Sequence, residues 1–332
     1  MASVRITALA PGDGEAVASL WRDLWLLHES WNGYPAARDP GTYTDLAERL
    51  EAWARRRNTD PVLGQHIHLV ARDPTGLPIG QVEGWLDRHG SSPGTPTTCE
   101  VRSLVVDERV RDYGVGSALL GELESLARHV SRGPTFAVAE VLVPNSALSF
   151  YEKLRYPSFS FTTMLTLDGS EATLGPSRRA RQASAGDAMS MARLEMERRT
   201  DARARGDLRL DRPTAVDASF AQAVARHLAA TTGDLLLFDE TELVAQASLS
   251  VSTLEAPFAP VVRAALGRLA VSHGGAARAA EVLALAAERA RRLGARRLEI
   301  SDLAPDPDDS LRRVVQDAGA RPFSRIVGRL LP

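Results

Sequence analysis

Arg111-Asp112-Tyr113-Gly114-Val115-Gly116 stands between a largely apolar run at 101–106 and the helical pattern that begins at Ser117-Ala118-Leu119-Leu120. A buried strand, a glycine-bearing loop and a helix N-terminus make an anion site. Unpaired backbone N–H groups and the positive end of the helix dipole converge on whatever sits in the loop. Gly114 and Gly116 lack a Cβ and let a ligand approach the backbone. The expected occupant is a pyrophosphate, and the open question is which molecule carries it.

Two other readings of the stretch remain. A dinucleotide fold wants Gly-x-Gly-x-x-Gly after its first strand, but Leu119 stands where the third glycine would fall, and several elements precede the loop. A plain strand–turn–helix connection needs no ligand at all.

The 332 residues suggest two domains, each able to bury a core. Apolar residues at 44% and charged residues at 25% are those of a globular protein. A net charge of −2 gives no general pull toward nucleic acid or an anionic membrane. Lys153 is the single lysine among 40 basic residues, which with the abundant alanine points to a high-GC, actinobacterial genome. Cys99 is the single cysteine, so an internal disulfide and a cysteine metal cluster are both excluded, which fits a reducing cytoplasm. Asp13 and Glu15 interrupt the N-terminus before any long apolar stretch, so neither a signal peptide nor a membrane span is expected.

Periodicity places a strand at 4–8 and helices at 14–27 and 43–57. Strands follow at 66–71, 78–86 and 97–106, then a helix at 114–130, a strand at 136–143, a short helix at 147–154 and a strand at 158–167. The polar stretch 169–178, with Gly169 and Gly175-Pro176, reads as a linker. The order of elements then begins again. Helices are expected near 187–199, 215–230, 276–293 and 310–318, and strands at 179–183, 235–239, 242–251, 261–271, 297–301 and 323–330. Two copies of one mixed α/β unit, at 1–168 and 179–332, account for this.

A second motif follows the first by about one strand: Asn145-Ser146-Ala147-Leu148-Ser149-Phe150-Tyr151-Glu152-Lys153-Leu154-Arg155-Tyr156. With Arg111-x-x-Gly114-x-Gly116 ahead of it, residues 1–168 resemble the GNAT family of N-acetyltransferases, in a tandem two-domain form. The resemblance implies two domains, each a mixed, mostly antiparallel twisted sheet flanked by helices. It implies acetyl-CoA as donor and direct attack by a primary amine of a small molecule, without an acyl-enzyme. Three positions depart from the family pattern: Asp112 and Arg155 replace glycines, and Asn145 lies one residue closer to Tyr151 than is usual.

The resemblance also assigns roles. The amides of Arg111, Asp112, Tyr113, Gly114, Val115, Gly116 and Ser117 would hold the pyrophosphate. Leu104, Val105 and Val106 would pair with the pantetheine arm, and Asn145 and Phe150 would flank it. Glu100, eleven residues before Arg111, would be the general base. Tyr151 would give its proton to the departing thiolate. Glu100 also reads as a solvated glutamate paired with Arg102, and Glu83 is the other candidate base, acting through a water. Tyr151 also reads as a packed aromatic. Cys99 reads as a packed thiol. His66 and His68 share a strand face, but two histidines without a third ligand make no metal site, so no metal is expected. Trp31 and Tyr34 lie where the family often builds its acceptor site.

Setting Val271 on Val106 places Ala265 at Glu100, and setting Gly319 on Arg155 places Val315 at Tyr151. The second domain is therefore expected to be inactive, with Gly274-Gly275 a residual anion site. A paired chain of this kind suits a monomer or homodimer, in the cytoplasm or beside an antibiotic pathway. The rival function is a non-catalytic acyl-CoA-binding or regulatory protein.

Overall fold

The computed structural model of the chain describes residues 4–87, 96–167, 180–209, 220–222, 234–239, 242–272 and 276–332. The backbone groups into two compact units. The first comprises Met1–Pro157, Glu255–Pro260 and Val327–Pro332, and the second Ser158–Leu254 and Val261–Ile326.

The first unit holds strands β1 (Arg5–Ala8), β2 (Val62–Leu63), β3 (His66–Arg72), β4 (Pro78–Asp87), β5 (Thr97–Val106) and β6 (Thr135–Leu142). Its helices are α1 (Gly14–Ser30), α2 (Pro40–Arg57), α3 (Val115–Ser131) and α4 (Ala147–Lys153). The pairs β1–β3, β2–β3, β3–β4 and β4–β5 are antiparallel, and β5–β6 is parallel. On α3, Leu119, Leu120, Leu123 and Ala127 recur at helical spacing and bury against Ile67, Val82, Leu86, Cys99 and Val101 of the sheet. Each buried leucine contributes about 2 kcal/mol. The other face meets α1 and α2 through Val17, Ala18, Leu46, Leu50, Ala54 and Val70. Gly14 makes that helix pair close, because a Cβ there would stand 2.5 Å from the Ala47 carbonyl oxygen. Asp39 caps α2 by accepting from the Thr42 amide at 3.1 Å, with Pro40 in the first turn.

The second unit repeats the plan with β7 (Ser158–Thr166), β8 (Ala180–Gln182), β9 (Asp234–Asp239), β10 (Glu242–Thr253), β11 (Val262–Val271) and β12 (Arg297–Leu303), and with α5 (Ala188–Ala204) and helices Ala276–Arg292 and Ser310–Asp317. The pairs β8–β9, β9–β10, β10–β11 and β12–β7 are antiparallel, and β11–β12 is parallel. Its core includes Met191, Ala192, Leu194, Leu236 and Ala270.

Strand 158–167, which the sequence reading placed at the end of the first domain, groups with the second unit, because its residues pair with Arg297–Leu303. The last strand, β13 (Arg321–Leu331), contributes Val327 and Leu331 to the core of the first unit. The expected linker at 169–178 lies outside the described residues, as does most of the expected helix at 215–230.

One irregularity recurs. Gln81 faces Val105 while Glu83 faces Arg102, so β5 carries an extra residue, and Ser103 has φ +50°. Gln246 faces Ala270 while Ser248 faces Gly267, and Arg268 has φ +54°. The two bulges stand at 268 − 103 = 165 residues' separation. At that offset Ala265 occupies the place of Glu100, and Ser248 the place of Glu83.

Candidate active site

β5 and β6 pair from Thr97 opposite Thr135 to Val101 opposite Ala139. Past that point their pairing ends, although β5 runs to Val106 and β6 to Leu142. The bulge at Ser103 supplies the bend that parts them. The stretch 102–106 thus offers backbone donors and acceptors along one edge, and it ends at the loop 107–114.

That loop turns sharply. Asp112 takes φ +67° and Gly114 φ +82°, and the first hydrogen bond of α3 runs from the Ala118 amide to the Gly114 carbonyl at 3.0 Å. The amides of Val115, Gly116 and Ser117 therefore precede the helical ladder and face outward with the helix dipole behind them. Residues 111–114 are exposed, and the Arg111 Nε donates back to the Val106 carbonyl at 3.2 Å. Phe150 of α4 packs on Gly116, where a Cβ would stand 3.6 Å from its ring. Leu104, Val106 and Phe150 rest on the α3-side core, and Val105 is buried. Asn145 accepts from the Ala147 amide at 2.9 Å, a side-chain turn that leads into α4.

Glu100 sits on the face of β5 away from α3, with its side chain 46% exposed and its Oε2 receiving Arg102 Nη2 at 2.7 Å. Its neighbours are the Arg102 guanidinium and, across the strand pair, Trp85. Tyr151 is buried, edge-on to Phe150 at 5.2 Å and Tyr156 at 5.4 Å. Burial pushes its phenol above the usual value, so it keeps its proton. Burial pushes the Cys99 thiol up to about 12, with help from Glu124 and Glu100, which disqualifies it as a nucleophile.

His66 and His68 have a third companion that sequence reasoning missed. Glu83 Oε1 lies 2.9 Å from His66 Nε2 and 3.7 Å from His68 Nδ1, and the three groups fall within 4.8 Å of one another. The signal was present: His66-x-His68 and Gln81-x-Glu83 both alternate at strand period, and antiparallel pairing sets His68 opposite Glu83. Arg57 adds a donor to His66 Nδ1 at 2.5 Å, and Gln81 Oε1 meets His68 Nε2 at 2.7 Å. Burial lowers the His68 pKa to about 4 despite the Glu83 charge. Burial alone would raise the Glu83 carboxyl, but the His66 hydrogen bond, the two imidazoles and a Ser103 hydrogen bond hold it below its ordinary value.

The aromatic group near α1 gathers round a residue from far along the chain. Phe258 meets Trp25 at 4.3 Å and Tyr34 at 6.2 Å. The Ala37 amide bonds the Pro257 carbonyl, and the Ala259 amide bonds the Pro35 carbonyl, both at 2.9 Å. Tyr43 donates its hydroxyl to the Ala37 carbonyl at 3.2 Å and lines an open groove of about 1110 Å³ with Arg22, Arg38 and Glu51.

In the second unit β11 and β12 also part, after Leu266 opposite Ile300. There, however, Asp302 of β12 accepts from the Arg268 amide at 3.3 Å, and the Ser301 hydroxyl lies 3.2 Å from where a Gly267 Cβ would be. The buried Glu195 receives Arg198 at 2.8 Å, Arg199 at 2.7 Å and Arg268 at 2.9 Å. The residues at 273–275, the expected residual anion site, lie outside the described part. No helix among the described residues is long and apolar enough to cross a membrane.

Residues 24–156 match the model of the acetyltransferase (GNAT) family. No curated protein sequence matches the chain. Among solved structures, a GCN5-related N-acetyltransferase from Sphaerobacter thermophilus superposes with TM-score 0.60 at 16% identity, over 98% of this chain and 95% of its own. A tandem GNAT protein from the clavulanic acid biosynthesis pathway gives TM-score 0.54 at 18% identity, over 99% of this chain and 98% of its own. These likenesses show the fold.

Proposed function

We propose that this chain, whose residues 24–156 match the acetyltransferase (GNAT) family model, draws on acetyl-CoA and acetylates a primary amine of a small molecule in its first unit. The observation that carries the reading is the parting of β5 and β6 directly ahead of the loop at 111–117. The edge at 104–106 that β6 leaves, with Arg111 on the Val106 carbonyl, matches an arm rich in amides, and the outward amides at the start of α3 match a pyrophosphate. The second unit supports the asymmetry, because Asp302 engages a backbone donor at the position equivalent to Ser103.

In this reading an ammonium approaches the open side of β5 and loses a proton to Glu100, whose exposure lets it return that proton to water. The neutral amine attacks the thioester carbonyl, which a backbone N–H of 104–106 polarises. Tyr151, protonated at any working pH, donates to the departing sulfur. Asn145 and Phe150 position α4 against the loop. The small acceptor is consistent with the closed aromatic wall of Trp25, Tyr34 and Phe258 beside α1.

Coenzyme release from acetyl-CoA over a panel of glucosamine, tyramine, spermidine and lysine tests the reading. Turnover that falls at least tenfold in both Glu100→Gln and Tyr151→Phe supports it. Full activity in both variants refutes the assigned roles. Tight acetyl-CoA binding with no turnover identifies a coenzyme-binding regulator instead.

A further inference from the structure

The trio His66, His68 and Glu83 looks at first like a metal centre. The hydrogen bonds around it say otherwise. Arg57 has only donors, so His66 Nδ1 must accept, and the hydrogen of a neutral His66 sits on Nε2, aimed at Glu83. His66 is therefore a donor and not a ligand. Only two ligand atoms remain, too few for a zinc-type site.

His68 has the opposite arrangement. Its Nε2 meets the Gln81 carbonyl oxygen, so it carries the hydrogen and leaves a lone pair on Nδ1. That Nδ1 is fully buried and has no hydrogen-bond partner. It faces Glu83 Oε1 at 3.7 Å. A lone pair opposite a carboxylate in a buried site is costly, and buried polar atoms are nearly always satisfied. One proton between them would turn the repulsion into an O–H···N hydrogen bond. One further proton fits between them, and Glu83 gives it up readily because His66 and Ser103 hold its carboxyl below the ordinary value.

Ser103 connects this pair to the chemistry. It is the bulge residue at the head of the open edge, half-buried, and its side chain hydrogen-bonds Glu83. We infer that Glu83 and His68, reached through the Ser103 hydroxyl, accept a proton from the acceptor nitrogen during acetyl transfer. The inference rests on the acetyl-transfer reading above.

The proton count calls for such a group. An ammonium, R–NH3+, must lose two protons to become an amide, R–NH–CO–CH3. Glu100 takes the first before attack. After the N–C bond forms, the nitrogen still carries two hydrogens and a positive charge. The second proton moves to the Ser103 oxygen while the Ser103 hydrogen moves to Glu83. The C–S bond then breaks, and the sulfur takes its hydrogen from Tyr151, which is replenished from water. A nitrogen joined to a tetrahedral carbon bearing oxygen and sulfur is a far stronger acid than a free ammonium. A carboxylate of low basicity therefore suffices for the second step, though not for the first. Arg57 on α2 and His66 on β3 hold Glu83 from behind, Gln81 holds His68, and Arg102 on β5 stands opposite Glu83 but pairs with Glu100. At the offset of 165 the second unit has Ser248 and Arg268 in place of Glu83 and Ser103, so the relay belongs to the first unit alone.

The test combines two measurements on the full chain. Single-turnover acetyl transfer from acetyl-CoA, to whichever of glucosamine, tyramine, spermidine or lysine reacts fastest, is followed in mixtures of H2O and D2O. Wild type should show a curved dependence of rate on deuterium fraction, as two protons move together. Ser103→Ala and Glu83→Gln should each react about 10- to 100-fold more slowly, with a straight dependence and an unchanged KM for acetyl-CoA. Histidine-selective 15N NMR should find His68 with hydrogen on Nε2 and a bare Nδ1 down to about pH 5, a readout that holds even if Glu83→Gln folds poorly. A hydrogen on Nδ1 at neutral pH overturns the inference, as do rates within twofold of wild type in both variants. Absence of turnover with all four amines overturns the acetyl-transfer reading itself, and the relay falls with it.

Discussion

Phe150 lays its ring on the backbone of Gly116, so the short helix α4 seats directly on the first turn of α3. The two sequence motifs, some thirty residues apart, thus become one wall of the cleft. Glycine at 116 keeps that wall flat, while glycine at 114 does something different. Its φ of +82° is a conformation that costs an L-residue roughly 1–2 kcal/mol. Gly114→Val should therefore lower stability by about that amount and weaken acetyl-CoA binding at least tenfold. Calorimetric titration against a thermal unfolding curve separates the two effects, and unchanged affinity would show that the loop does not grip the coenzyme.

Asp302 against the Arg268 amide predicts the binding stoichiometry. One acetyl-CoA should bind per chain, and Gly114→Val should weaken that one event. Titration that finds two sites per chain would mean that the second unit binds coenzyme as well.

Buried histidines make the first unit sensitive to acid. His28 and His68 each have a pKa lowered from 6.5 to about 4 by burial. Between those values the unfolded chain binds protons that the folded chain refuses, so stability falls as pH drops from 6.5 toward 4. The full effect is ~3 kcal/mol for each histidine. Urea unfolding at pH 7.0, 5.5 and 4.5 should show the loss, and His28→Gln should flatten the curve.

Glu195 holds three arginines in the second unit. Its carboxyl is buried, which opposes ionisation, yet the hydrogen bond from Arg198 and the charges of Arg198, Arg268 and Arg199 hold it far below the ordinary value. A depressed carboxyl stabilises fully above the unfolded pKa near 4.3 and loses that contribution as pH falls through the folded one. Glu195→Gln at pH 7 removes the buried charge that three guanidinium groups share and should cost about 3–5 kcal/mol. Chemical denaturation of the variant, read on the second unit by amide hydrogen exchange, measures it.

Arg329, near the C-terminus, binds Glu124 of α3 through its Nε at 3.0 Å and the Leu154 carbonyl at 2.9 Å, while Tyr156 donates to the same glutamate. Arg329→Ala should destabilise the first unit by about 1–3 kcal/mol, because it strips a mostly buried carboxylate of the two hydrogen bonds it receives from the guanidinium. A thermal shift of a few degrees would agree, and none would show that water replaces the guanidinium.

Local patterns made the loop at 111–117 and the order of elements legible, because a glycine turn between strand and helix and the periods of 2.0 and 3.6 are properties of neighbouring residues. The alternation His66-x-His68 and Gln81-x-Glu83 was equally visible, but its meaning depended on strand register, which sets His68 opposite Glu83. Glu100 shows the reverse: its position on β5 was readable, whereas its exposure and its pairing with Arg102 were not.

By itself the chain's sequence determined a repeated α/β unit, a glycine-bearing turn and a helix seated after it, since each is encoded within a span of a few residues. Only the tertiary structure decided that β5 and β6 separate, that Ser158–Thr166 pairs with Arg297–Leu303, that Val327 and Leu331 enter the first core, and that His68 points a bare nitrogen at a carboxylate. Those outcomes come from contacts between residues far apart in sequence, and a linear pattern carries no record of which distant partner will exclude the water.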